Sequence, residues 1–146
     1  MITQDRYKHM IAVANKMKQL AEQHKDFKIN PNDAFTLGLL HDIGYEFTNE
    51  IVNHANIGGE CLREQGYKYW KEIKYHGIIQ TDYISPQLQL LNYVDITTGP
   101  QGQDFSIKER IEEISKRYGE NSVQHQTVLA VADIITKKYN LANKLI

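Results

Sequence analysis

The sequence predicts an all-α, single-domain bundle of about six or seven helices. Three observations predict it. Apolar residues recur at spacings of three and four along most of the chain. No stretch of period-two alternation is long enough to demand a strand. The 146 residues, 41% hydrophobic and 24% charged, have the size and composition of one soluble core. The expected domain is therefore the whole span 1–146, without repeats, low-complexity tracts or linkers.

The first helix is expected from about Thr3 to His24, with Met10, Val13, Ala14, Met17, Leu20 and Ala21 in one apolar stripe. His9 stands beside that stripe, four residues before Val13. Asn30-Pro31 then reads as a cap followed by proline at the first helical position. The second helix carries Ala34, Leu37, Leu40 and His41 on one face, and Gly44 is expected to end it as a left-handed residue. A polar loop is placed at Tyr45 to Asn53. The third helix, about His54 to Gln65, aligns His54 with Ile57, Gly58, Cys61 and Leu62 and stops at Gly66. Gly58 and Gly59 lower its helix propensity and imply close approach of a neighbouring helix or a ligand.

A short fourth helix, roughly Tyr69 to His76, spaces Trp70, Ile73 and His76 by three. Ser85-Pro86 opens the fifth, where Asp95 falls on the face of Leu88, Leu91 and Val94. The segment Thr97 to Asp104, with Gly99-Pro100 and Gly102, reads as a loop. Ser106 and Glu109 form a capping box for the sixth helix, which carries Ile107, Ile111, Ile114 and Tyr118. Ser122 caps the last helix, whose buried side is expected to be Val128, Leu129, Ala132, Ile135 and Tyr139.

The formal net charge of -1, with both signs interspersed, argues against a nucleic-acid duplex or an anionic membrane as partner. No apolar run reaches membrane-spanning length, and the residues after Met1 lack the apolar core of a signal peptide. The single cysteine, Cys61, has no partner for an internal disulfide, so a cytoplasmic setting is expected. Cys61 reads as a small core residue.

His9, the doublet His41-Asp42, His54, His76 and Asp95 each place a strongly hydrated group on or beside an apolar stripe. Singly, each has a plain structural reading, as a hydrogen-bonded core residue or a helix-end residue. Jointly they draw on five helices, and a divalent cation is the simplest common partner for imidazoles and carboxylates. The remaining histidines, His24 and His125, read as helix-end or surface residues.

These residues, in order, carry a family pattern: Arg6-Tyr7-Lys8-His9, Gly38-Leu39-Leu40-His41-Asp42-Ile43-Gly44, His54-Ala55-Asn56-Ile57-Gly58, Ile73-Lys74-Tyr75-His76, and Leu91-Asn92-Tyr93-Val94-Asp95. The chain resembles the HD superfamily of metal-dependent phosphohydrolases over about residues 6–100, with 106–146 completing the bundle. The resemblance implies an all-α fold and one or two divalent ions, the second in members that carry two further histidines between the doublet and the last Asp. The first would use His9, His41, Asp42 and Asp95; the second His54 and His76, with Asp42 bridging. It departs from two branches of the family. Members that cleave cyclic dinucleotides often carry Lys where this chain has Tyr45. The bacterial HD enzyme that splits diadenosine tetraphosphate usually has Thr where this chain has Gly77. Neither substrate is implied.

The ligand set points to hydrolysis of a phosphoester, of a nucleotide or nucleotide-like small molecule, by metal-activated hydroxide. Asp42, His54 and His76 are then the catalytic candidates. Iron or manganese is favoured, with zinc or magnesium the alternatives. Lys74 and Arg63 are candidate counter-charges for the substrate phosphate, against the alternative of solvated surface charges. Tyr45, Tyr67, Tyr75 and Tyr93 lie near proposed ligands and either stack on a base or fill gaps between helices. The rival function is a non-catalytic sensor that binds metal or nucleotide. The oligomeric state is open.

Overall fold

A computed structural model describes residues 1–79 and 81–138 of the chain. Seven α-helices run through the described residues: α1 (Gln4–Gln23), α2 (Pro31–Leu40), α3 (His54–Glu64), α4 (Trp70–Tyr75), α5 (Pro86–Ile96), α6 (Ile107–Tyr118) and α7 (Val123–Asp133). Tight 3₁₀ turns at Lys25–Phe27 and Ile43–Glu46 follow α1 and α2, and a π turn at Ile134–Lys138 extends α7. Among the described residues the sole β pairing is one bridge between Thr98 and Asp104. The fold is the expected all-α bundle.

The helix starts are written locally. Thr3, Asn30, Ser85, Ser106 and Ser122 each accept a hydrogen bond from a backbone N–H three residues on. Each such cap is worth about 1 kcal/mol. Ser106 and Glu109 complete the reciprocal capping box. Apolar stripes then close the core, with Met17, Leu37, Ile73, Leu90 and Leu91 wholly enclosed. Burying a side chain of this size contributes roughly 1.5–3 kcal/mol.

Two glycine contacts set the helix spacing that the site depends on. A Cβ on Gly38 would lie 2.8 Å from the Ala14 Cα, so α1 and α2 meet at backbone contact. A Cβ on Gly59 would lie 2.6 Å from the Lys74 Cα, which brings α3 equally close to α4. Buried Glu72 on α4 accepts hydrogen bonds from the Tyr83 hydroxyl and from the Ser85 hydroxyl (2.7 Å), tying the segment after His76 back to its helix.

Several expectations are corrected. Gly44 has no left-handed backbone; it sits inside the Ile43–Glu46 turn, and its lack of a side chain serves packing. Left-handed glycines occur instead at Gly66, Gly77, Gly102 and Gly119. Tyr45 belongs to the same turn and is buried, so it is no part of a polar loop. Leu129 is 43% exposed, because Val128, Val131, Ala132 and Ile135 already make the buried face of α7 and Leu129 lies round from it. Tyr118, in the last turn of α6, is exposed. Cys61 is half-buried rather than enclosed. Tyr139 lies outside the described residues.

Candidate metal centre

Five elements deliver one side chain or two each to a common point. His9 comes from the second turn of α1. His41 caps the C-terminus of α2 with helical backbone, and Asp42 follows it off the helix axis at φ -104°, ψ 17°. His54 is the first residue of α3, His76 caps the end of α4, and Asp95 is in the last turn of α5. His41 is completely buried, and His9, Asp42 and His76 are nearly so. The Asp95 side chain retains 28% exposure and marks an open side of the cluster.

Two groups are resolved within the cluster. In the first, His9 Nε2 lies 3.0 Å from Asp95 Oδ1 and 3.3 Å from His41 Nε2. His41 Nε2 is 3.3 Å from Asp95 Oδ1 and 3.3 Å from Asp42 Oδ2. In the second, His54 Nε2 and His76 Nε2 are 3.1 Å apart, and they lie 3.2 and 3.3 Å from Asp42 Oδ1. Asp42 thus turns one oxygen to each group.

The histidines are set for coordination rather than for hydrogen bonding to each other. Each Nδ1 faces a backbone carbonyl: His9 to Gly99 (2.8 Å), His41 to Gly38 (2.6 Å), His54 to Ile51 (2.5 Å) and His76 to Ile73 (2.5 Å). A carbonyl only accepts, so each neutral ring carries its proton on Nδ1 and presents a bare Nε2. Four bare nitrogens and two carboxylates then converge with no donor among them. Such a set is stable only around cations or captured protons. Atoms bound at about 2.1 Å to one ion, at octahedral or tetrahedral angles, stand roughly 3.0–3.4 Å apart. The separations above are of that size, with His9 Nε2 to Asp42 Oδ2 wider at 3.7 Å, so the residues fit divalent metal.

Protons are the competing occupant. Burial opposes charge on His41, yet the carboxylates of Asp42 and Asp95 outweigh it and hold the imidazole well above its ordinary value. Burial likewise opposes charge on Asp42 and Asp95. Contact with His41, joined by His54 and His76 for Asp42 and by His9 for Asp95, holds both well below the usual carboxylate range.

All six expected residues come together. Lys74 and Arg63 do not join them: both bind Glu60 of α3, at 2.6 and 3.3 Å, and Arg63 is largely exposed. Tyr67, Tyr75 and Tyr93 lie against Tyr69, Tyr83 and Lys16, whereas Tyr45 stacks directly on His54.

Two contributors escaped the sequence reading. Arg6, one turn before His9, lies over the Tyr45 ring and pairs with no carboxylate among the described residues. Its place three residues ahead of a ligand, on the same helix face, was the available signal. The other is the loop after α5, whose Gly99 carbonyl orients His9. That loop is fixed by Gly99 N–H to the Gln103 carbonyl (2.7 Å), and by Lys16 Nζ on Thr97 Oγ1 (2.9 Å) and Asp104 Oδ1 (2.7 Å).

Fold and site together define an all-helical domain able to hold divalent metal. The HD domain family model matches residues 6–138, and the chain belongs to that family, a superfamily of metal-dependent phosphohydrolases. The match runs past the ligand-bearing helices through α7. Comparison with curated proteins and with solved structures gave no match. Among the described residues no helix is long and apolar enough to cross a membrane.

Proposed function

We propose that this chain, as one HD-type domain spanning 1–146, hydrolyses a phosphoester or phosphoanhydride of a small nucleotide-like substrate. The observation that carries the reading is the acceptor-only cluster in which Asp42 turns one oxygen to each of two groups. His9, His41, Asp42 and Asp95 would hold one divalent ion. His54, His76 and the other Asp42 oxygen would hold a second. Four imidazoles with two carboxylates suit iron, manganese or zinc better than magnesium, which prefers all-oxygen shells.

Such ions, when bound, acidify water and offset the charge of a phosphoryl transition state. The chain's own residues supply the rest. The Nδ1–carbonyl bonds anchor each ring by one nitrogen and turn its Nε2 toward the cluster before any ion binds. The enclosed histidines exclude bulk water on the inner side, and partly exposed Asp95 leaves an outer side for substrate. Arg6 is the cation we assign to the substrate phosphate. Lys74 and Arg63 already share Glu60, whereas Arg6 lies over the Tyr45 ring and makes no ion pair with a carboxylate among the described residues, and a guanidinium suits bidentate contact with oxyanions.

The test is purified chain, stripped of metal and reloaded separately with iron, manganese, zinc or magnesium, assayed on a panel of phosphoesters and nucleotides. Turnover that follows metal content is expected, and Arg6→Gln should raise KM more than it lowers kcat. No turnover with any metal, together with saturable nucleotide binding, would replace the enzyme with a sensor.

A further inference from the structure

Tyr45 is packed between two groups of different kinds. On one face the Arg6 guanidinium carbon lies 3.3 Å from the ring centroid. On the other the His54 imidazole lies parallel, with centroids 4.2 Å apart and planes 11° from coincidence. Tyr45 is 7% exposed, while Arg6 and His54 on its two faces are half-buried. Its backbone is fixed as well. The N-terminal ammonium of Met1 donates to the carbonyls of Tyr45 and Glu46, both at 3.3 Å, and the Ile2 N–H donates to the Glu46 carboxylate at 3.2 Å. Gly44, one residue earlier, abuts the His54 carbonyl.

The arrangement sets two geometries at once. The Nδ1 bond to the Ile51 carbonyl anchors one atom of the His54 ring but leaves the ring free to rock about that bond. The Tyr45 face removes that freedom and so aims Nε2 between Asp42 and His76. With its central carbon 3.3 Å from the ring centroid, the Arg6 guanidinium rests against the Tyr45 face, which restricts where its N–H groups can point. One side chain thus touches both a candidate metal ligand and the Arg6 cation.

We propose that Tyr45 is a positioning residue that holds His54 for the second cation and Arg6 for the substrate's phosphoryl oxygens, making the two binding events depend on one ring. The proposal rests on the two-cation reading of the six residues. It requires the ring and not the hydroxyl.

The experiment titrates the metal-free full chain with Mn²⁺, then titrates the loaded protein with inorganic phosphate. Wild type, Tyr45→Phe, Tyr45→Leu and Arg6→Gln are compared. Tyr45→Phe should match wild type within about twofold. Tyr45→Leu should bind the first ion normally and the second roughly 10- to 100-fold more weakly, the range for groups that orient metal ligands. Its affinity for phosphate should fall at least to that of Arg6→Gln. If Tyr45→Leu does not fold, the flexible Tyr45→Met replaces it. The His54 ring protons of the metal-free wild type, shifted upfield by the stacked tyrosine, give a readout that needs no variant. Unstacked chemical shifts for His54, or a Tyr45→Leu protein that loads two ions and binds phosphate like wild type, would overturn the proposal. In that second case wild-type hydrolysis leaves the proposed function standing. Conversely, a wild type that binds ions and phosphate through Tyr45 yet turns over nothing sinks the hydrolase alone. A wild type that takes one ion overturns this proposal, and its turnover then decides the proposed function separately.

Discussion

Replacing Gly44 with alanine adds one methyl group at the closest contact between the His41-Asp42 turn and α3. Built on the native backbone, that Cβ falls 1.8 Å from the His54 carbonyl oxygen, 2.7 Å from its carbon and 3.0 Å from the Gly58 nitrogen. All three are backbone atoms, so no rotamer change relieves the clash. Restoring ordinary van der Waals separation requires a movement of about 1.5 Å or more. The element that must move carries His54 itself, whereas metal sites tolerate ligand displacements of only about 0.2 Å. Overpacking of this kind costs about 1–3 kcal/mol, partly offset by about 0.4–1 kcal/mol from the less flexible unfolded chain. Gly44→Ala should therefore remain folded, retain the ion held by His9, His41 and Asp95, and lose the one held by His54 and His76. The assay is metal content per chain after gel filtration, with thermal melting and turnover in parallel. Gly66→Ala is the control. Gly66 has φ +75° with open space around it, so alanine there should cost about 1 kcal/mol of backbone strain and leave both ions bound. Two ions per chain, wild-type turnover and an unchanged melt in Gly44→Ala would refute the reasoning.

Asp42→Asn should keep the helical circular dichroism spectrum while lowering metal content and reducing turnover at least a hundredfold, because an amide cannot offer an anionic oxygen to both groups; near wild-type rates with full metal would exclude the bridging role. His54→Ala and His76→Ala should each cost turnover about a hundredfold, near 3 kcal/mol, with the first ion retained and a smaller change in melting temperature. Metal loading should release protons, since Asp42 and Asp95 hold a proton on His41 in the metal-free protein. Affinity should then rise with pH, by up to about tenfold per unit below that raised pKa; calorimetry in buffers of different ionisation enthalpy that detects no proton release would contradict this. For the metal-free fold, the His41 contribution to stability is full below its unfolded pKa, near 6.5, and is lost as pH rises through the raised folded value. The contributions of Asp42 and Asp95, whose folded values are depressed, are present above about pH 4 and lost as pH falls through those values.

What was legible in the sequence is what depends on neighbours along the chain. Asn30, Ser85, Ser106 and Ser122 cap the helices they announce, because a cap bonds an amide only three residues away. The six candidate ligands were legible for a related reason. A histidine or aspartate in register with a buried stripe has to point inward, and inward-pointing groups from five helices meet. Gly44 was located correctly and explained wrongly. A helix stop and a backbone contact both require glycine, and the difference between them is the presence of His54, ten residues on.

Charges were harder to place because their role depends on what already neutralises them. Lys74, Arg63 and Arg6 are all cations near ligands in sequence. Glu60 takes the first two, and a tyrosine ring takes the third without neutralising it. The Gly99 carbonyl is the extreme case, since it meets His9 across 90 positions and carries no side chain to mark it. Folding is what makes these contacts, yet they set ring orientation and leave Arg6, among the described residues, without a carboxylate partner beside the cluster. The convergence of the candidate histidines and Asp95 thus follows from helical periodicity, while their orientation and the place of the proposed counter-charge follow from tertiary contacts. Substitutions at Tyr45, Gly44 or the Thr97–Asp104 loop should consequently alter metal stoichiometry and phosphate affinity while leaving every proposed ligand in place.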